Sequence, residues 1–561
     1  MADKAADDHM ERLSQLAAGR SSFEQVWRQV ARVAAPDAVD FAGSGTLGAT
    51  GIRHNQHQPL AAHRSKQIYD VTAINAVDRL ASGIEALVAP QAEYWHGLEV
   101  TNWARRVGSK ATDEEKAWLE AQRNLMFTLR YDADSGFVPA FQTAIRRTIA
   151  FGNAFVWLDE SFDEFSMFRY QHIPLAECYI ATDAQDIMTT WYRYYSLTAE
   201  QAKGFFKEKL SPQIARAAES PVDKDKQFRF ARCIHPSADY NEGSSPFAYK
   251  SVHVDCENRS IVGTRGFFEM PVIDFRWLPE KGPYGEGPVM RVLSEIQSAN
   301  QLAKNELIAS EQSVRPALLV ANAGVMNRPN TNPGAINFGG MNPNGQELIK
   351  PLNIGGRLDF ATMVLEAKKN AIKESLYINL FQLLVQNPQM SATEALIRAN
   401  EKAELLGPAG SRLQGGLSRM IRRELGILAR RGLYDADSVY AKPRSVGAGR
   451  VTVDFTSPLD RLRRAKEGEG ISRLLEMVAP IAQVDPSIVD NFDGDETVRQ
   501  LRDILGAPVS ILRRPEDVQR IRQGRQEQQA ATQNAAIAEQ LAAASAQGTK
   551  ALAGAKEAGA L

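Results

Sequence analysis

The chain has 561 residues, of which 44% are hydrophobic and 24% are charged. Such a composition argues against intrinsic disorder and is typical of a globular protein with room for more than one hydrophobic core. Lysine and arginine number 66 against 67 acidic residues, so the net charge of -1 gives no global sign of tight phosphate binding. Near neutrality does not exclude DNA, because a protein along which DNA slides should not grip it strongly.

The cysteines and the N-terminus indicate the compartment. Cys178, Cys233 and Cys256 form no CxxC pair, and one of them must stay unpaired. We expect a reducing compartment without a disulfide framework. Residues 1–8 are acidic and polar, unlike a signal peptide, and no apolar run approaches the ~18–20 residues of a membrane helix. We therefore expect synthesis in the cytoplasm and no membrane partner.

Residues 1–285 are predicted to form one α+β body. Apolar residues recur at helical spacing over 8–35 and 67–89, and further helices are predicted over about 113–131 and 136–151. Five short runs rich in β-branched and aromatic residues follow, and each predicts a strand. These runs cover residues 154–158, 188–195, 228–234, 248–256 and 272–278.

Two long helical patterns form the next feature. The first covers 286–315 and carries a narrow apolar stripe, and the second covers 359–386 with apolar residues at steps of three, four or seven. The stripe of the first contains Leu293, Ile296, Ala303 and Leu307. We expect the two helices to pack on each other and on copies of themselves, as a stalk.

The segment between these helices, 316–358, is predicted to be the tip of the stalk. Residues 321–356 hold eight Asn, seven Gly and four Pro, which excludes a helix. The segment is longer than an ordinary idle loop. A strand predicted over 317–320 at its leading edge favours a binding tip over a disordered one.

An uncharged break follows the second stalk helix. Its residues are Asn387, Pro388, Gln389, Met390 and Ser391. The break is either an ordinary connection or a loop that points into a channel, where such side chains contact DNA without binding it tightly. Ser391 and Glu394 form a capping box for the next helix. That helix is expected to kink at Gly407-Pro408, because proline removes a helical donor.

A further helix, recapped at Ser411, is predicted over 412–432 and is crowded with arginines against Glu424 alone. The arginines are Arg412, Arg419, Arg422, Arg423, Arg430 and Arg431. One interpretation is a solvated face, or one that forms salt bridges between subunits. The other is a basic belt that touches DNA phosphates. The arginines of 513–525 have the same two interpretations.

The remaining segments are helical or of low complexity. Residues 459–525 are predicted to be helical with breaks. In 526–561, 14 of 36 residues are alanine, which allows a helix but supplies little to bury in a core. We expect a helix that depends on assembly, or a disordered tail.

No motif predicts catalysis, a metal or a cofactor. Residues 43–48 match G-x-G-x-x-G without the strand and helix that a phosphate site needs. The Walker and nucleophile-elbow patterns are absent. His54, His57 and His63 lack a fourth ligand, and the acids of 490–496 do not have the spacing of a calcium loop. We expect a protein that is not an enzyme, and any ATPase beside it would be another chain.

The order of these signals resembles that of the portal proteins, or head-to-tail connectors, of short-tailed bacteriophages. The ordered series of matches is fairly specific and spans about residues 65–525. The matching segments are 68–75, 79–83, 90–91, 283–288, 393–395, 406–408, 412–413, 455–459, 512–514 and 520–523.

The resemblance implies the portal fold, an α+β and mainly helical subunit assembled as a ring. The expected parts are the wing at 1–285, stem helix 1 at 286–315, the clip at 316–358, stem helix 2 at 359–386, the tunnel loop at 387–393, a kinked helix and wing strand at 394–458, the crown at 459–525 and a tail or barrel at 526–561.

The resemblance also implies function and partners. The family forms a ring of twelve subunits at one capsid vertex of the virion, after synthesis in the host cytoplasm. The ring nucleates procapsid assembly, docks the terminase for packaging, conducts double-stranded DNA and later carries the tail adaptor. Implied partners are copies of the chain, the major capsid and scaffold proteins, the terminase large subunit, the tail adaptor and DNA, with no cofactor.

Candidate site residues follow from these roles. The tunnel loop would be the 387–391 break, and the basic residues facing DNA or a neighbouring subunit would come from Arg412, Arg419, Arg422 and Arg423. The clip residues expected to bind partners are Asn337, Phe338, Asn342 and Asn344. An alternative is another oligomeric phage component, such as a tail adaptor or internal ejection protein. That alternative would not need a returning stem helix with an insertion at its tip.

Overall fold

The computed structural model describes residues 3–38, 68–101, 113–161, 166–279, 282–320, 330, 336, 341–352, 358–378, 392–435, 450–458, 460, 470–471, 473–481, 491–495, 497–498, 501, 513 and 515–558. Two compact units are distinguished. The first comprises 1–103, 119–444 and 448–463, and the second comprises 104–118, 445–447 and 464–561.

The chain is mixed in secondary structure. Its helices are α1 Lys4–Val33, α2 Thr72–Val88, α3 Asp113–Arg130, α4 Phe137–Phe151, α5 Ala199–Phe206, α6 Pro212–Glu219, α7 Ala238–Asn241, α8 Pro288–Arg291, α9 Leu293–Val314, α10 Leu358–Ser375, α11 Ala392–Arg430 and α12 Pro515–Ala558. Its strands are β1 His96–Thr101, β2 Asn153–Glu160, β3 Phe168–Ile173, β4 Cys178–Thr182, β5 Met188–Thr198, β6 Gln227–Pro236, β7 Tyr249–Asp255, β8 Ser260–Phe267, β9 Val272–Arg276, β10 Leu278–Pro279, β11 Gly285–Glu286, β12 Leu318–Val320, β13 Ile349–Pro351 and β14 Arg450–Phe455.

A five-stranded antiparallel sheet lies at the centre of the first unit, in the order β4-β5-β6-β7-β8. Side chains alternate between its faces with the period of two that a strand imposes. Tyr192 and Tyr194 of β5 pack with Leu13 of α1 on one face. On the other face, Tyr195 packs with Phe206 of α5. Helices therefore cover both faces, and the strands predicted over 188–195, 228–234 and 248–256 are confirmed.

A three-stranded sheet in the order β3-β2-β9 is the second layer of this unit. The strands predicted over 154–158 and 272–278 fall in it or at its end. Phe141 of α4 packs edge-on against Phe275 of β9, with ring centroids 5.9 Å apart. Strand β9 is an edge strand, which leaves one row of its backbone groups without a strand partner.

Helix α1 ties the two layers together. Its Trp27 donates from Nε1 to Phe151 O at 3.0 Å, at the end of α4. Nearer the N-terminus, the buried Arg20 donates to Leu175 O at 3.0 Å and Cys178 O at 2.5 Å, and its guanidinium lies 3.8 Å from the ring centroid of Tyr179. One long helix thus binds the backbone of β4 in the five-stranded sheet and the end of α4, the helix that packs on the three-stranded sheet.

Helix α11 differs from its prediction. It runs from Ala392 to Arg430 as one element with Pro408 inside it. The hydroxyl of Ser411 donates to Gly407 O at 3.0 Å, as a serine within a helix does, and does not start a new helix. The predicted recapping at Ser411 is therefore wrong, because the Ser411 hydroxyl bonds to the carbonyl one turn earlier and leaves the helix continuous.

In the second unit, α12 extends over 44 residues from Pro515 to Ala558. The boundary predicted between crown and tail at 525/526 falls inside this helix. Arg522 of α12 donates to both carboxylate oxygens of Asp495 at 2.7 Å. Asp495 therefore has an arginine partner within the chain.

Candidate functional site

Three glycines pack backbone against backbone just before α9, at the base of the predicted stem. A methyl group on Gly287 would lie 2.6 Å from Ile149 O and 2.7 Å from Gly152 N. Gly152 has φ +81°, and a methyl group there would clash with Gly285 O. The Gly285 N–H donates to Asn153 Oδ1 at 2.7 Å. The Pro-Tyr-Gly-x-Gly-Pro segment of the sequence is thus a close backbone joint, in which side chains have no space.

Tyr284 in the same segment fastens the joint to the core. It is 2% exposed, and its hydroxyl accepts a hydrogen bond from Ile180 N at 3.3 Å. Its ring lies 5.2 Å from Trp27 and 5.4 Å from Phe23, both on α1. Burial raises the pKa of the Tyr284 phenol. The base of the stem is therefore anchored in the hydrophobic core of the first unit.

Helices α9 and α10, the pair that the sequence predicts to be the stem, run antiparallel to each other. Lys368 donates to Glu295 at 2.6 Å, and Thr362 donates to Glu306 at 2.7 Å. The contact further along α9, at Glu306, is made to an earlier residue of α10, Thr362, than the contact at Glu295. The two helices therefore run in opposite directions. The two predicted stem helices are confirmed as elements, but α9 begins only at Leu293, after the separate short α8. Helix α10 ends at Ser375, and a turn with Tyr377 at φ +57° follows. Residues 379–386 of the second predicted helix lie outside the described residues.

The four predicted stem-packing residues separate into two groups. Leu293 and Ile296 are 9% and 2% exposed, so they are buried within a single chain at the root. Ala303 is half-buried and Leu307 is 51% exposed. The predicted stripe therefore changes from core to surface along α9.

The outer half of the stem exposes large apolar side chains. Leu307 and Ile308 of α9 are 51% and 41% exposed, and Phe360 and Met363 of α10 are 66% and 72% exposed. We call these four residues the outer stem set. Exposed apolar side chains concentrated on a pair of packed helices are typical of a surface that associates with another protein.

The clip region contains two short antiparallel pairings. Strands β12 and β13 pair with Leu319 opposite Lys350. Further out, Gly345 N donates to Asn342 O at 2.8 Å, and Gly345 has φ +74°. This is a β-turn in which glycine supplies the left-handed position. The predicted clip residues Asn342 and Asn344 belong to this turn, whereas Asn337 and Phe338 lie outside the described residues.

The tunnel-loop residues Asn387, Pro388, Gln389, Met390 and Ser391 also lie outside the described residues. Their assignment to a channel loop stays a prediction. So does the capping box that begins at Ser391.

The arginines of α11 bind backbone carbonyls beside the edge strand β9. Arg412 donates to Trp277 O at 2.9 Å, and Arg419 donates to Asp274 O at 2.7 Å. Arg423 donates to Leu158 O at 2.9 Å and Glu269 O at 3.0 Å. Gly416 lies on the same side of the helix, where a methyl group would meet the Phe275 ring at 2.6 Å. Arginine and glycine thus hold α11 close to this edge of the sheet.

These contacts correct part of the predicted basic belt. Arg423 is 2% exposed, so its guanidinium is withdrawn from DNA and from neighbouring subunits. Arg412 and Arg419 stay exposed although each makes a contact within the chain, and Arg422 is exposed. The sequence interpretation missed the role of arginine as a donor to the carbonyls of an unpaired strand edge.

A buried ionic cluster that sequence reasoning missed holds α11 from its other side. Arg130 and Glu424 are both 0% exposed, and Arg130 Nε donates to Glu424 Oε1 at 3.0 Å. Tyr170 donates its hydroxyl proton to the same oxygen at 2.6 Å. His96 Nε2 lies 3.0 Å from Arg130 Nη1, and burial together with the Arg130 charge keeps the pKa of His96 well below its usual value. Neutral His96 therefore accepts a hydrogen bond from Arg130.

Two searches of the described residues bear on other kinds of function. None of the described helices is both long enough and apolar enough to cross a membrane. Within the same residues, no three His, Cys, Asp or Glu side chains are grouped so that they could hold a metal ion.

The described geometry is that of an antiparallel helix pair anchored at its base in a sheet-containing body, with exposed apolar residues on its outer half. The family described as bacteriophage head to tail connecting protein matches residues 6–512. The chain belongs to this family, and its function is that of a phage portal, a structural component of the virion that connects head and tail.

Curated relatives agree with the family. The chain is 25% identical over 544 residues to a probable portal protein of Bordetella phage BPP-1, covering 95% of this chain and 93% of the relative. It is 22% identical over 567 residues to a portal protein of Salmonella phage epsilon15, covering 98% and 96%. Among solved structures, the neck of a native gene transfer agent particle aligns with 78% of this chain and 90% of its own, at a TM-score of 0.34 and 10% identity.

Proposed function

We propose that twelve copies of this chain form a ring at one capsid vertex, with double-stranded DNA passing through its centre. The observation that carries the ring is the outer stem set, whose four apolar side chains lie between 41% and 72% exposed in the single chain. A closed ring of identical stems would bury these residues against neighbouring copies without leaving an open end. The number twelve comes from the family resemblance.

The family resemblance also suggests which part of the chain would carry each finer role. The clip, with the turn at Asn342 and Asn344, would bind the terminase large subunit during packaging and the tail adaptor afterwards. The wing would contact the major capsid and scaffold proteins and so nucleate procapsid assembly. Residues 387–391 would line the channel, and Arg412, Arg419 and Arg422 would face DNA or a neighbouring subunit.

The outer stem set gives the decisive experiment, a comparison of Phe360→Asp with Val222→Asp. Val222 is 88% exposed on the body, so its substitution matches the change in chemistry at a site away from the stem. We expect rings from the wild type and from Val222→Asp, but dispersed, folded subunits from Phe360→Asp. Native mass spectrometry and negative-stain images would measure this outcome. Rings of normal number and stability from Phe360→Asp would contradict the proposed stem interface.

A further inference from the structure

Helix α1 is held to the first unit differently on the two sides of Gly19. After Gly19, Arg20 and Trp27 fix the helix by hydrogen bonds to backbone carbonyls, which do not titrate. Before Gly19, Leu13 and other apolar residues pack on the five-stranded sheet. A methyl group on Gly19 would meet nothing within 4 Å, so no packing requires a glycine here, and the residue weakens the helix between its two parts.

Three basic side chains meet where the first turns of α1 cross the sheet. Strand register places His235 of β6 opposite Lys250 of β7. The ring of His9, on α1, lies 5.6 Å from that of His235, measured between centroids. The Nδ1–H of His235 donates to Pro236 O at 2.9 Å, so its Nε2 is the nitrogen that takes up a proton. We call His9, His235 and Lys250 the histidine–lysine cluster.

The surroundings of His9 disfavour its protonated form. Burial, His235 and Lys250 lower the pKa of His9, and the carboxylates of Asp8 and Asp3 on the same helix only partly offset them. Among the described residues, no carboxylate lies within ion-pair distance of a member of the cluster. Because the pKa is lower in the folded chain, the stability that neutral His9 supplies is complete above about pH 6.5 and is lost as the pH falls below it.

The other polar groups that face this end of α1 do not compensate the cluster. Tyr192 of β5 places its hydroxyl 3.2 Å from His9 Nδ1, and burial raises the pKa of this phenol, so it stays neutral. Arg259, in the turn between β7 and β8, pairs with Asp7 at 3.0 Å. Arg12 of α1 is a further cation near Tyr192. Acid therefore adds positive charge here without a paired carboxylate among the described residues.

We propose that the histidine–lysine cluster is an acid-sensitive latch. When His9 and His235 are both protonated, the part of α1 before Gly19 loosens from the sheet, while the part after it stays fixed. Two unit charges 5.6 Å apart repel enough to shift a local equilibrium about threefold even at the dielectric constant of water. The opening exposes the apolar face of the sheet that includes Tyr192 and Tyr194.

Hydrogen–deuterium exchange of the full-length protein, measured by mass spectrometry at about pH 7.5 and about pH 5, tests the latch. After correction for the intrinsic effect of pH on exchange, we expect residues 4–16 to exchange at least about threefold faster at the lower pH. Residues 20–33 are the internal control and should keep the same corrected rate. No acceleration in residues 4–16, or an equal acceleration in both segments, would overturn the proposal.

Variants assign the acid response to the two histidines. His9→Gln and His235→Gln should each lose most of the acceleration, because one protonated ring then has no protonated ring beside it. His253→Gln is the matched control, since His253 of β7 packs on Phe206 at the opposite face of the sheet, and its acid response in residues 4–16 should equal that of the wild type. An undiminished acid response in both His9→Gln and His235→Gln would contradict the latch. So would exchange in these two variants that is raised equally at both pH values, because that is the result of a merely structural role.

Discussion

Arg130 and Glu424 are 294 positions apart in the chain, yet they form an ion pair from which water is fully excluded. The pair joins α3 to α11, and Tyr170 and His96 complete its hydrogen bonds. Burying two charges costs desolvation free energy that a good geometry only partly offsets, so such a pair contributes more to a unique arrangement than to stability. Here it fixes the rotation of α11 about its own axis.

The first prediction concerns this pair. Glu424→Gln should lower the free energy of unfolding by about 3–5 kcal/mol, because it leaves the buried Arg130 charge uncompensated. The double variant Arg130→Met with Glu424→Leu should recover most of the loss. Urea denaturation of Arg130→Met, Glu424→Leu and the double variant measures the coupling. Additive effects of the two substitutions would show that the pair is not coupled.

A second prediction concerns pH. Burial, with the charge of Arg147, lowers the pKa of His172 to about 4, and burial with Arg232 and Arg265 lowers that of His253 to about 3. Below about pH 6.5 the unfolded chain binds protons at these histidines and the folded chain does not. The free energy of unfolding should therefore fall as pH falls from about 6.5 towards 4, by about 1.4 kcal/mol per pH unit for each histidine.

Substituting one histidine isolates its contribution to the change of the free energy of unfolding with pH. Between about pH 6.5 and 4, His253→Gln should reduce the change in the free energy of unfolding by about 1.4 kcal/mol per pH unit, the contribution of one histidine. Urea denaturation at a series of pH values measures both slopes. A variant whose slope equals that of the wild type would show that His253 is protonated in the folded protein.

The parts that sequence patterns predicted are those governed by local rules. The apolar stripe through Leu293 and Ile296 indicates a helix because its period is local. The partner of Glu424 was not predictable, since nothing local distinguishes a buried glutamate from a solvated one among arginines. The continuity of α11 through Pro408 also ran against the local rule that a proline interrupts a helix.

Two adjacent arginines of α11 give a third prediction with a built-in control. Arg423→Met should lower the free energy of unfolding by about 2 kcal/mol or more, because it removes the donor to Leu158 O and Glu269 O. The exposed Arg422→Met should stay within about 0.5 kcal/mol of the wild type. Chemical denaturation compares the two. If Arg422 faces DNA or a neighbouring subunit as proposed, Arg422→Met should keep its stability but show a loss in DNA packaging or ring formation.

The glycine joint gives the most direct test of how the stem is mounted. Gly287→Ala would place a methyl group 2.6 Å from Ile149 O and 2.7 Å from Gly152 N, and both neighbours are backbone atoms that cannot rotate away. We expect a loss of about 3 kcal/mol or more in the free energy of unfolding. Gly204→Ala is the matched control, because a methyl group there meets nothing within 4 Å and an alanine within a helix should gain up to about 1 kcal/mol. Opposite signs for these two substitutions, measured by urea denaturation, are the expected result. A Gly287→Ala variant as stable as the wild type would mean that the stem is not fixed to the body through this backbone contact.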